Sequence, residues 1–117
     1  MTAPHHVDLG EYDEFVRRLF VPLRNAYTSV SANGDMLLAV LGLQEEIGEV
    51  SRLIKRQIRD GVREPSALKK ELGDVCYWLT FLIGQLGFTL EEVIATNIAK
   101  LSDREKRGVI RGTGDNR

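Results

Sequence analysis

Two long stretches of the chain carry apolar residues at alternating steps of four and three. Met36, Val40, Leu43, Ile47, Val50 and Ile54 form one run; Leu68, Leu72, Val75, Leu79, Leu82 and Leu86 form the other. This spacing keeps the side chains on one face of an α-helix. No segment shows the alternation of a strand between turn signals. The pattern predicts four helices, near residues 9–21, 35–60, 66–86 and 90–107.

The boundaries come from local chemistry. "DLGE" (Asp8 to Glu11) has the form of a capping box, and Leu9, Tyr12, Phe15, Val16 and Leu19 make an apolar stripe behind it. Pro22 is expected to kink or end this helix near Val21. "SANGD" (Ser31 to Asp35) reads as a turn before the second helix, which Gly61 stops. Pro65 suits the first turn of the third helix, and "TLEE" (Thr89 to Glu92) is a second capping box. Gly108 releases a polar tail, "VIRGTGDNR". Two long helices joined by a short connection imply an all-α, antiparallel four-helix bundle in a single domain over 1–117. The apolar seams look wider than one short chain can cover, so a homo-oligomer is expected.

Composition narrows the function. The chain has 117 residues, is 43% hydrophobic and 28% charged, and carries a net charge of −1. Such a balance gives no general attraction to nucleic acid or to a membrane surface. No apolar run approaches the roughly 20 residues needed to span a bilayer, and the first residues lack the basic start and apolar core of a signal peptide. The one cysteine, Cys76, has no partner for an internal disulfide and reads as an inert core thiol. A cytoplasmic setting is expected.

The informative positions lie one residue before each seam. There the second helix carries Glu46 and Glu49, and the third carries Glu71 and Asp74. Each pair is spaced i, i+3, which puts both carboxylates on one helix face. Packed antiparallel, the two pairs would face each other. Four carboxylates at one place repel unless a cation lies among them, and oxygen-only donors suit Mg²⁺ or Mn²⁺. A di-iron centre would need Glu-x-x-His, but the only histidines are His5 and His6 at the N-terminus. The alternative is two acidic pairs on solvated faces, neutralised by neighbours such as Arg52, Lys69 and Lys70.

"LAVLGLQEEIGEV", "ELGDVCYWL" and "NIAKLSDREKRG" with "GTGDNR" together resemble the MazG-like nucleoside triphosphate pyrophosphohydrolases, of the all-α NTP pyrophosphatase superfamily. The resemblance covers roughly residues 35–117. It implies Mg²⁺-dependent hydrolysis of a nucleoside triphosphate between the α and β phosphates, in a homodimer or homotetramer. Carried over to this chain, the metal ligands are Glu46, Glu49, Glu71 and Asp74, and Glu45 is an outer-sphere residue or the base that activates water, with Glu46 beside it in the catalytic set. Asn97, Lys100 and Arg104 share one face of the fourth helix and would bind phosphate, joined by Arg107, Arg111 and Arg117 from the end of the chain. Their alternative is a solvated helix end whose cations favour the dipole. Trp78 and Phe81 would wall the base pocket or serve as core, and Tyr77 is equally open. Within the superfamily, dUTP- or dCTP-directed and phosphoribosyl-ATP enzymes are the alternatives. Outside it, the alternative is a non-catalytic helical oligomerisation module with an acidic groove.

Overall fold

The computed structural model describes residues 3, 6–25 and 34–117, so His5 and the Ser31–Asn33 part of the expected turn lie outside it. Four helices follow one another: α1 (Leu9–Asn25), α2 (Asp35–Asp60), α3 (Pro65–Gln85) and α4 (Leu90–Lys106). The chain is all-α, as expected, and the described residues contain no strand.

The local signals act largely as read. The Asp8 carboxylate accepts the Glu11 amide at 3.0 Å. Gly61 ends α2 in the left-handed region at φ 70°, where its amide caps the Gln57 carbonyl. At α4 both halves of the Thr89–Glu92 capping box are present. One expectation fails: α1 does not stop near Val21 but runs through Pro22 to Asn25. Proline removes only the bond to the Arg18 carbonyl, and the last turn is held otherwise. Leu23 packs on the core, and Arg24 meets Asp35 of α2 at 2.6 Å.

α2 and α3 form an antiparallel hairpin across residues 61–64, braced by Arg56 and Glu64 at 3.3 Å. The line along which they meet runs one residue before the expected seams. Ala39, Gly42 and Leu53 of α2 are buried, as are Trp78 and Phe81 of α3, whereas Ile47, Ile54, Leu72 and Leu79 remain exposed. The cause is at Gly42: a Cβ there would overlap the Trp78 indole, so the helices close along the line of small residues. α1 lies against the far half of α3. Phe20 stacks on Phe81 with ring centroids 3.8 Å apart, and Val16, Leu38, Ala39 and Trp78 complete the core. α4 turns away from α3 by 95° and contacts α1 and α3, but not α2. No single helix among the described residues is long and apolar enough to cross a membrane.

Candidate metal centre and nucleotide cleft

The antiparallel hairpin converts the acidic spacing into a cluster. Glu46 of α2 meets Glu71 and Asp74 of α3, with one carboxylate oxygen from each residue within 4.8 Å of the others. Glu46 and Glu71 are half-buried and Asp74 is exposed. Burial pushes the Glu46 carboxyl above its ordinary value, and the charges of Asp74, Glu71, Glu45 and Glu49 push it the same way. At this spacing the like charges repel one another. Three hard oxygens pressed together fit a divalent ion such as Mg²⁺.

Glu49, the fourth expected ligand, lies one turn beyond Glu46 but turns to Arg52, whose Nε donates to it at 3.0 Å. Both side chains of that pair are substantially exposed. Such a pair is worth about 0–1 kcal/mol, so it does not bar Glu49 from swinging to a cation. Glu45 is exposed and faces the same space as Glu46.

That space is an open cleft of about 830 Å³ between α1, α2 and α3. Glu45, Glu46 and Asp74 stand at one end. The rest is apolar or aromatic, with Leu38, Leu41 and Gly42 from α2 and Tyr77 and Trp78 from α3. Trp78 both lines the cleft and packs into the core, edge-on to Tyr77 at 5.3 Å. Phe81 does not line the cleft and belongs to the core with Phe20. The Tyr77 hydroxyl is buried without a hydrogen-bond partner among the described residues, and burial raises its pKa. Cys76 is exposed rather than a core thiol, because the α3 face that packs is the one carrying Trp78 and Phe81.

Sequence reasoning missed the third wall. Tyr12, Phe15, Leu19 and Leu23 of α1 close the cleft opposite Trp78. The spacing of Tyr12, Phe15 and Leu19 marked a stripe, but a stripe with two aromatic residues reads as core until its neighbours are known.

The basic residues expected to hold phosphate do not reach this cleft within the chain. Asn97 and Lys100 are exposed on α4, and no α4 residue lines the cleft. Arg104 is only 4% exposed and holds the end of the chain, its Nη2 donating to the Asp115 carbonyl at 2.9 Å and to the carboxylate at 3.3 Å. Lys100 stands 3.6 Å from the same carboxylate. Arg117 donates to the carbonyls of Val109 and Ile110, and Arg107 to that of Arg117. Arg111 lies exposed on this folded tail.

Residues 34–109 match the family described as the MazG nucleotide pyrophosphohydrolase domain. The Gene 37 protein of Mycobacterium phage L5 is 42% identical over 82 residues, covering 66% of this chain and 72% of that protein. No solved structure matches the chain.

Proposed function

Because the chain belongs to the MazG nucleotide pyrophosphohydrolase family, we propose that it hydrolyses (deoxy)nucleoside triphosphates between the α and β phosphates, giving a monophosphate and pyrophosphate. One observation carries this reading: a cluster of three carboxylates, two of which, Glu46 and Asp74, line one end of a cleft whose remaining wall is apolar and aromatic. That is the polarity of a nucleotide held by its phosphates at one end and its base at the other.

Glu46, Glu71 and Asp74 would hold Mg²⁺, or Mn²⁺ in its place, with Glu49 joining when it leaves Arg52. The bound ion neutralises phosphate charge and lowers the pKa of water. Glu45, exposed beside Glu46 on the cleft, would take a proton from the attacking water. Trp78 offers an indole to the base. Binding there excludes water from the acid end and fixes the phosphates in line. Lys100 is exposed and does not line its own cleft, which supports a role for α4 in a neighbouring subunit of a homodimer or homotetramer. Exposed Ile94, Ile98 and Leu101 along α4 support the same arrangement. A nucleotide substrate and a single thiol without a disulfide suit a cytoplasmic setting. The activity is one of nucleotide-pool control or house-cleaning.

The test is pyrophosphate release from a panel of nucleoside triphosphates with EDTA, Mg²⁺ or Mn²⁺. Turnover that vanishes with EDTA and returns with either ion is the expected result. A chain that oligomerises but hydrolyses none of the panel would instead be a helical assembly module, the reading favoured by its exposed apolar surface alone.

A further inference from the structure

We infer that Tyr12, on the helix preceding the family-matched residues, recognises a hydroxyl on the sugar of the bound nucleotide. This rests on the nucleotide reading above and deepens it.

Register places the residue. α1 runs beside α3 in the same direction: Phe20 stacks on Phe81, and Tyr12, two turns earlier, lines the cleft together with Gly73, Asp74 and Tyr77. Tyr12 therefore stands level with the acid end of the cleft. Phe15, Leu19 and Leu23 follow it along the same wall, towards the end lined by Leu38 and Leu41. α2 repeats the gradient, from Glu46 and Glu45 through Gly42 to Leu41 and Leu38. A nucleotide has the matching order of phosphate, sugar and base. With its phosphates at the acids and its base against Trp78, the sugar spans the four residues from Asp74 to Trp78, a rise of about 6 Å. Tyr12 faces that interval.

Its chemistry suits the position. Tyr12 is half-buried and lines the cleft, yet its hydroxyl has no hydrogen-bond partner among the described residues. A neutral phenol both donates and accepts, which complements a sugar hydroxyl. Tyr77, the other phenol on this cleft, has a buried hydroxyl, so Tyr12 presents the accessible one.

The experiment uses one base in four forms, as the ribo-, 2′-deoxy-, 3′-deoxy- and 2′,3′-dideoxynucleoside triphosphates, with wild type and Tyr12→Phe. The ring and its packing survive this substitution, and an unchanged melting temperature checks that. Wild type should prefer the forms carrying the recognised hydroxyl by about tenfold in kcat/KM, the worth of one neutral hydrogen bond. Tyr12→Phe should erase that preference while turning over the dideoxy form at the wild-type rate. An equal loss on all four forms, as from a phosphate contact, would overturn the inference, and so would an unchanged preference. Wild type inactive on every form would instead remove the nucleotide reading, and this inference with it.

Discussion

Glu46 is the residue whose surroundings most need a cation. Its pKa is raised, so the folded chain holds that proton more tightly than the unfolded chain does. The metal-free fold is therefore best off below the ordinary value of 4.5, and the advantage is lost as pH rises through the folded value. Glu46→Gln should raise the melting temperature of the EDTA-treated protein at pH 7, with the gain shrinking on acidification, and should abolish most turnover. Calorimetry at several pH values together with a pyrophosphate assay checks both, and a lower melting temperature at pH 7 would mean that the carboxylates do not repel. Asp74→Asn should also cost most of the turnover while the circular dichroism stays helical. Gly42 tests the opposite kind of residue, one whose value is its lack of a side chain. Gly42→Ala forces the buried Trp78 indole to move and should destabilise by about 1–3 kcal/mol, as other overpacked cores do. Denaturant unfolding measures it, and a neutral result would mean that the ring relocates freely. The acids were legible in the sequence because spacing alone puts Glu71 and Asp74 on one face. Glu49's turn to Arg52 was not, since rotamer choice at an exposed pair depends on what else is nearby.

At the scale of elements, punctuation carried most of the information. Gly61, Pro65 and the Thr89–Glu92 box fix their helix ends by backbone chemistry that needs no tertiary partner, and they were read correctly. Pro22 was misread because Leu23 and Arg24 are held by the core and by Asp35, contacts that no local rule contains. The packing face shifted by one residue for a similar reason: helical period locates an apolar stripe, but Gly42 and Trp78 decide which edge of it closes. α4 is the element on which the proposed subunit arrangement turns. Its Lys100 is exposed and paired only loosely with the exposed Asp115. Lys100→Ala should lower kcat/KM by about ten- to a hundredfold, the range of one or two charge-assisted contacts. Mg²⁺ affinity should be unchanged, since no carboxylate is touched. Initial rates and a metal titration decide the matter, and full activity would reduce Lys100 to a solvated helix end.

At the scale of the whole molecule the fold is open for its length. Its radius of gyration is 17.2 Å, whereas a compact chain of this length has about 13 Å. The shortfall of compactness has a location. Advancing one residue from the packing line rotates each helix by about 100°, and in an antiparallel pair both rotations turn to the same side of the hairpin. Ile47 and Ile54 of α2 and Leu72 and Leu79 of α3, 38–50% exposed, therefore share one apolar face. Water on such a face costs free energy that a second copy would recover, and a stable dimer needs only about 800 Å² from each partner. The wild-type chain should run well above its 13.2 kDa mass in light scattering at micromolar concentration. A variant carrying Ile54→Glu and Leu72→Glu should fall to the monomer mass while remaining helical, because neither residue belongs to the intramolecular core. If α4 of a neighbour supplies the phosphate-binding cations, the same variant should lose kcat/KM for triphosphates at least as severely as Lys100→Ala, while its isolated acid cluster still binds Mn²⁺. A wild-type chain that is monomeric and fully active would show that one copy suffices and that α4 must close on its own cleft.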